Sequence, residues 1–119
     1  MLLVRAFAEQ YRPGPEGGRV VLFTSGQRLG PAPSEIPYAA TKGALRQITR
    51  TLADALAERA ITVNCVYPGP TDTGWAAPDP EALIARHMRR GRWNTPDEAA
   101  DVVALLLAPE AATIHRPGR

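Results

Sequence analysis

A chain of 119 residues that is 45% apolar and 22% charged, with a net charge of +2, has room for one small domain or part of one. That composition is the one expected of a soluble globular protein, and no apolar run approaches the ~20 residues of a membrane-spanning helix. The single cysteine, Cys65, excludes an internal disulfide and a cysteine-based zinc site.

The opening Met1-Leu2-Leu3-Val4 is soon followed by Arg5, Glu9 and Arg12, with no small-residue cleavage site, so a cytoplasmic location is expected rather than export. Leu2 to Tyr11 reads as a helix with Leu2, Leu3, Ala6 and Phe7 on one face. The segment Arg12 to Gly18, rich in Pro and Gly, ends it. Arg19-Val20-Val21-Leu22-Phe23-Thr24 is a short apolar run between turn residues, the pattern of a parallel strand buried on both faces, and Ser25 stands where it ends.

After a loop with Gly30, Pro31, Pro33 and Pro37, a helix is predicted from about Tyr38 to Arg59, because Leu45, Ile48, Leu52, Ala55 and Leu56 recur at helical spacing. Ile61 to Val66 is a second strand, with Cys65 as an inert core thiol and Asn64 bridging backbone groups. Strand, helix and strand in this order predict a right-handed βαβ crossover. Tyr67 to Gly74 is a loop. One further helix is expected from Asp79 or Pro80, with Leu83, Ile84 and Met88. Another starts after Thr95, where Pro96 at the first position and Glu98 complete a capping box, and should carry Val102, Val103, Leu105, Leu106 and Leu107 into a core.

Chemistry concentrates around one residue type. Lys42 is the only lysine beside thirteen arginines, and it lies four residues after Tyr38, on the same helix face. A compact ammonium can sit beside a phenol and two ribose hydroxyls where a planar guanidinium cannot. A phenol is a reluctant proton donor at neutrality, and fixed positive charge beside it favours its ionised form. Ligands of open α/β sheets collect at the carboxyl ends of the strands, the edge that holds Ser25 and the loop from Pro68 to Thr73.

Ser25, Tyr38-x-x-x-Lys42 and Asn64-Cys65-Val66-Tyr67-Pro68-Gly69, together with the Pro96-Asp97-Glu98-Ala99-Ala100 helix, resemble the second half of the short-chain dehydrogenase/reductase family. The resemblance runs from Leu2 to about Ala112, and the stretch Gly69 to Trp75 is similar to bacterial 3-oxoacyl-carrier-protein reductase-like members. It implies a partial Rossmann-like, doubly wound parallel α/β sheet that lacks the amino-terminal cofactor-binding half and the last strand. It also implies hydride transfer between NAD or NADP and a small carbonyl or alcohol substrate. Carried over by position, Tyr38 is the proton donor, Lys42 supports it and bonds the nicotinamide ribose, and Ser25 orients the substrate oxygen. Thr73 contacts the carboxamide, and Pro68, Gly69 and Thr71 shape that pocket. Self-association through the helix from Tyr38 to Arg59 is a further implication.

The sequence also departs from the family. Gly14, Gly17 and Gly18 precede a strand, whereas a phosphate-binding turn follows one and opens a helix. The Asn-Ala-Gly segment, the residue that selects NAD or NADP and a further catalytic asparagine do not occur within the 119 residues. Little turnover is therefore expected from this chain alone, and a non-catalytic remnant serving as an interaction or structural module is the alternative. A pI near 9.1 suggests nucleic acid at first, yet six arginines spread over positions 86 to 119 without a recognised motif read as a solvated face. His87 and His115 lack acidic or cysteine partners at metal-ligand spacing. Trp75 and Trp93 are expected to pack near the substrate.

Overall fold

The computed structural model describes residues 1–26, 33–74 and 90–114. The helix expected after Asp79, together with Gly30, Pro31, Trp75, His87 and His115, lies outside them.

Helix α1 (Leu2–Gln10) stops where Tyr11 turns extended, its N–H donating to the Phe7 carbonyl. Phe7 and Tyr11 stack with ring centroids 5.5 Å apart, and Ala8 is the one buried residue of the helix. Strand β1 (Gly18–Phe23) begins and ends one residue earlier than the apolar run suggests. Helix α2 (Ile36–Leu56) is entered through a 3₁₀ turn over Pro33–Glu35 and places Pro37 in its first turn, where a missing N–H costs nothing. A second 3₁₀ turn over Ala57–Arg59 and Ala60 in the left-handed region (φ 54°) feed directly into strand β2 (Ile61–Val66). Helix α3 (Pro96–Leu107) follows the loop after β2 and is succeeded by a 3₁₀ turn at Pro109–Thr113.

β1 and β2 pair in parallel, from Gly18 opposite Ile61 to Phe23 opposite Val66. Helix α2 packs on both strands, and α3 packs on β1. Among the described residues the sheet has these two strands. The core among the described residues is small: Ala8, Ala53, Ile61, Val63 and Ala111 are its buried apolar residues, and Thr62 is buried with them.

Burial departs from expectation in three places. β1 is half-buried rather than covered on both faces, and Phe23 at its end is exposed. Cys65 is likewise half-buried, short of a core position. Val102, Leu105 and Leu107 of α3 are exposed, Leu105 by 71%, and no residue of that helix is fully buried. An apolar helix buries only the faces that neighbours cover, and the main packing of α3 on the sheet is against β1. Asn64 does bridge, its Nδ2 donating to the Ile114 carbonyl at 2.6 Å.

Candidate active site

The carboxyl ends of the two strands and the first turns of α2 are tied together by three hydrogen bonds. The Thr24 N–H donates to the Val66 carbonyl (2.9 Å), continuing the strand ladder past Phe23. The Thr24 hydroxyl donates to the Lys42 carbonyl (3.1 Å), and Lys42 Nζ donates to the Phe23 carbonyl (3.2 Å). Lys42 is thus pinned to the end of β1 through its main chain and its ammonium. The ammonium also lies 5.7 Å from the centroid of the Tyr38 ring, within range of a cation–π attraction. Tyr38 is 43% exposed, so the ring one turn before the ammonium is open to a reacting group.

Ser25 follows directly. Its Oγ is buried and has no hydrogen-bond partner among the described residues. A buried hydroxyl without a partner is costly, and such orphans concentrate where a ligand supplies the bond. The expected catalytic residues therefore share one sheet edge: an exposed phenol, an ammonium fixed to the strand end, and a hydroxyl with free bonding capacity.

The loop after β2 is built differently. Gly69 has φ 75°, and a Cβ there would come within 2.7 Å of Asn94 Nδ2, so both conformation and space require glycine. The Thr71 hydroxyl donates to the Gly69 carbonyl (3.2 Å), and the Gly74 N–H donates to Asp72 Oδ1 (2.9 Å). Asn94 clamps this loop from outside. Its N–H donates to the Pro70 carbonyl, its carbonyl accepts from the Asp72 N–H, and its Nδ2 donates to the Pro68 carbonyl, each at 2.9 Å. Thr71 and Asn94 form a parallel bridge. In the sequence Asn94 carries no signal beyond its position just before the capping residue Thr95.

A cavity of about 580 Å³ lies between this loop and α3, lined by Phe23, Pro68, Thr71, Thr73, Pro96 and Val103 among others. The residues expected to form the catalytic and cofactor site thus divide into two groups. Pro68, Thr71 and Thr73 face that cavity, whereas Gly69, Ser25, Tyr38 and Lys42 are not among its described lining. The indole Nε1 of Trp93, next to the clamp, is buried without a partner among the described residues.

The orphaned Ser25 hydroxyl, the Lys42 ammonium and the polar loop suit the nicotinamide and ribose end of a dinucleotide. Among the described residues no glycine-rich turn that would meet its pyrophosphate follows a strand: Gly17 forms the turn before β1, and Gly18 is the first residue of that strand. Among the described residues no group of three His, Cys, Asp or Glu side chains is placed to hold a metal ion. No helix described is long and apolar enough to cross a membrane.

A family model described as enoyl-(acyl carrier protein) reductase matches residues 1–115. The chain is 44% identical over 114 residues to the uncharacterized oxidoreductase YjdA of Bacillus subtilis, an overlap of 95% of this chain and 45% of that protein. It is 35% identical over 102 residues to the 3-oxoacyl-[acyl-carrier-protein] reductase FabG of Aggregatibacter actinomycetemcomitans, covering 85% of this chain and 42% of FabG. Among solved structures, the promiscuous reductase LugOII, which catalyses keto-reduction at C1 during lugdunomycin biosynthesis, matches with a TM-score of 0.82 at 37% identity. That match covers 96% of this chain and 45% of LugOII. The angucycline C-6 ketoreductase LanV with bound NADP matches with a TM-score of 0.75 at 36% identity, covering 85% of this chain and 40% of its own. The chain spans less than half the length of each of these relatives. The fold is part of a Rossmann-like, doubly wound parallel α/β sheet.

Proposed function

Because this chain belongs to the short-chain dehydrogenase/reductase family, we propose that it carries the catalytic residues of an NAD(P)-dependent oxidoreductase that interconverts a carbonyl and an alcohol. The observation that carries this reading is Lys42, fixed to the Phe23 carbonyl with its ammonium beside the Tyr38 ring. In the reductive direction Ser25 Oγ donates a hydrogen bond to the substrate oxygen and holds it toward the phenol, a placement of the kind that converts a random encounter into a near-attack geometry. Tyr38 delivers its hydroxyl proton to that oxygen, and the Lys42 ammonium stabilises the phenolate left behind. When bound, the nicotinamide supplies the hydride. In oxidation Tyr38 takes the alcohol proton instead.

Lys42 and the loop residues Pro68, Gly69, Thr71 and Thr73 would hold the nicotinamide and its ribose. LugOII and LanV are both described as keto-reducing proteins, and LanV was seen with NADP and rabelomycin. Both points favour ketone reduction, with NADPH as the first cofactor to try. Self-association through α2 belongs to the same reading and is checked by light scattering. A second reading, an interaction module without turnover, draws support from the exposed Leu2, Leu3 and Leu105.

The deciding experiment is a fluorescence titration of the folded chain with NADPH and NADH, followed by a ketone-reduction assay. Saturable binding that Lys42→Ala weakens and Tyr38→Phe leaves intact would mean that the nicotinamide site assembles without the glycine-rich turn, and any turnover should fall by ~10²–10⁴ in Tyr38→Phe. A folded chain that binds neither nucleotide favours the second reading for this chain, with Ser25, Tyr38 and Lys42 stranded without their cofactor, and a Tyr38→Phe variant that keeps its turnover overturns the assigned proton donor.

A further inference from the structure

At the amino ends of the strands, opposite the edge that holds Tyr38 and Lys42, a second cavity of about 250 Å³ opens, lined by Pro15, Glu16, Gly17, Arg19, Thr62 and Ala112 among others. Arg19 and Thr62 are register partners across the parallel pair, so their side chains leave the same face of the sheet side by side. Thr62 is only 7% exposed, and its Oγ1 has no hydrogen-bond partner among the described residues. Arg19 Nε is also buried and without a partner among the described residues. Two neighbouring orphaned donors beside one concave space are not a packing solution, because apolar residues of similar size would fill it without leaving polar atoms unpaired.

The guanidinium is held in place. Arg19 Nη1 donates to the Gly18 carbonyl at 3.1 Å, leaving Nε to another acceptor. Gly17 makes room for this arrangement. Its φ is 70°, and a Cβ there would lie 2.5 Å from the Ala60 carbonyl oxygen and 3.1 Å from Arg19 Nη1. Among the described residues Arg19 makes no ion pair, although Glu16 lines the same cavity.

We infer that this cavity binds a small oxyanion, a carboxylate or phosphate group whose oxygens accept hydrogen bonds from Arg19 Nε and Thr62 Oγ1. A cationic donor and a hydroxyl on paired residues of one cavity favour a negatively charged oxygen over a neutral carbonyl. Glu16 works against the anion and sets its affinity low, within the range of an abundant small metabolite. The site is independent of the proposed redox chemistry and stands or falls separately from it.

The test is titration of the 119-residue chain with sodium phosphate and, separately, sodium acetate, at constant ionic strength held with chloride, followed by calorimetry and by ¹⁵N NMR. Saturable binding is expected, with shifts at the Thr62 amide and the Arg19 Nε–H resonance. A response to phosphate alone identifies a phosphate group, a response to acetate alone a carboxylate, and either supports the site. Loss of a charge-assisted bond in Arg19→Gln should weaken binding by about tenfold or more, and Thr62→Val by about threefold. Glu16→Gln, on an exposed turn residue, should tighten it by roughly two- to fivefold through removal of the nearby negative charge. Should Arg19→Gln or Thr62→Val fail to fold, the NMR shifts on the unaltered chain and the Glu16→Gln titration decide the matter. Absence of saturable binding by both anions, shifts that avoid Arg19 and Thr62, or an affinity unchanged in folded Arg19→Gln overturns the site.

Discussion

Lys42 reaches β1 twice, once through its carbonyl and once through its ammonium, so its charge is positioned by the strand as well as by its own helix. A guanidinium cannot bond the Phe23 carbonyl and also offer a compact charge beside Tyr38. Lys42→Arg should therefore lower NADPH affinity nearly as much as Lys42→Met, read by the same fluorescence titration; binding like that of the unaltered chain would show that charge alone suffices. Asn94 presents the opposite kind of residue, one that acts by holding others. Losing its bond to the Pro68 carbonyl in Asn94→Ala should cost ~1 kcal/mol, and Gly69→Ala should cost ~1–2 kcal/mol from its left-handed backbone alone. The two changes should be less than additive in urea unfolding, because removing the Asn94 amide relieves the contact that a Cβ at residue 69 would make. Strict additivity would mean that the pair does not touch. Tyr38 and Lys42 were legible in the sequence because a spacing of four on a helix is a local fact. Asn94 was not, since its partners lie some two dozen residues upstream and are reached mainly through backbone groups that any residue type carries.

The start of α3 was readable to the atom: the Thr95 hydroxyl accepts from the Glu98 N–H, and Glu98 accepts in return from the Thr95 N–H. What local pattern did not reveal is the convergence of Arg90 and Arg92 on the same carboxylate, at 3.3 and 2.6 Å. The hydrogen bond from Arg92, then that from the Thr95 N–H, hold the Glu98 carboxyl down at about 2, against an ordinary value of 4.5. A carboxyl whose folded value lies below its unfolded value stabilises fully above the latter and loses that contribution as pH falls through the former. Melting temperatures should therefore drop between about pH 4.5 and 2 more steeply in the unaltered chain than in Glu98→Gln; parallel curves would remove Glu98 from the acid response. Helix α2 offers a change in the other direction. Gly43 lies inside it, and a Cβ there would meet nothing within 4 Å. Gly43→Ala should stabilise the chain by ~0.5–1 kcal/mol in urea unfolding. A loss of stability would mean that the open space is needed. The apolar residues of α3 were misjudged because a helix apolar on several faces does not say which of them a neighbour will cover.

For the molecule as a whole, the parallel pairing and the helix between the strands followed from the order of elements, but the extent of burial did not. Periodicity reports which side chains favour an interior, whereas the supply of covering surface depends on neighbours. Ile61 and Val63 are the large side chains fully buried here, while Leu2, Leu3, Ile36 and Leu105 remain well exposed. A domain of ordinary burial gains ~0.05–0.15 kcal/mol per residue, and this chain should fall below that range, unfolding in urea with less than about 5 kcal/mol. A value near 10 kcal/mol would show that its apolar faces are covered in solution. The link between β1 and β2 also carries a temporal consequence. A hairpin can zip from its turn, but a parallel pair cannot form until the whole of residues 24–60 has been made and α2 has docked. At ribosomal rates the first strand then waits on the order of seconds for its partner, and during that interval its apolar edge is at its most vulnerable to other nascent chains.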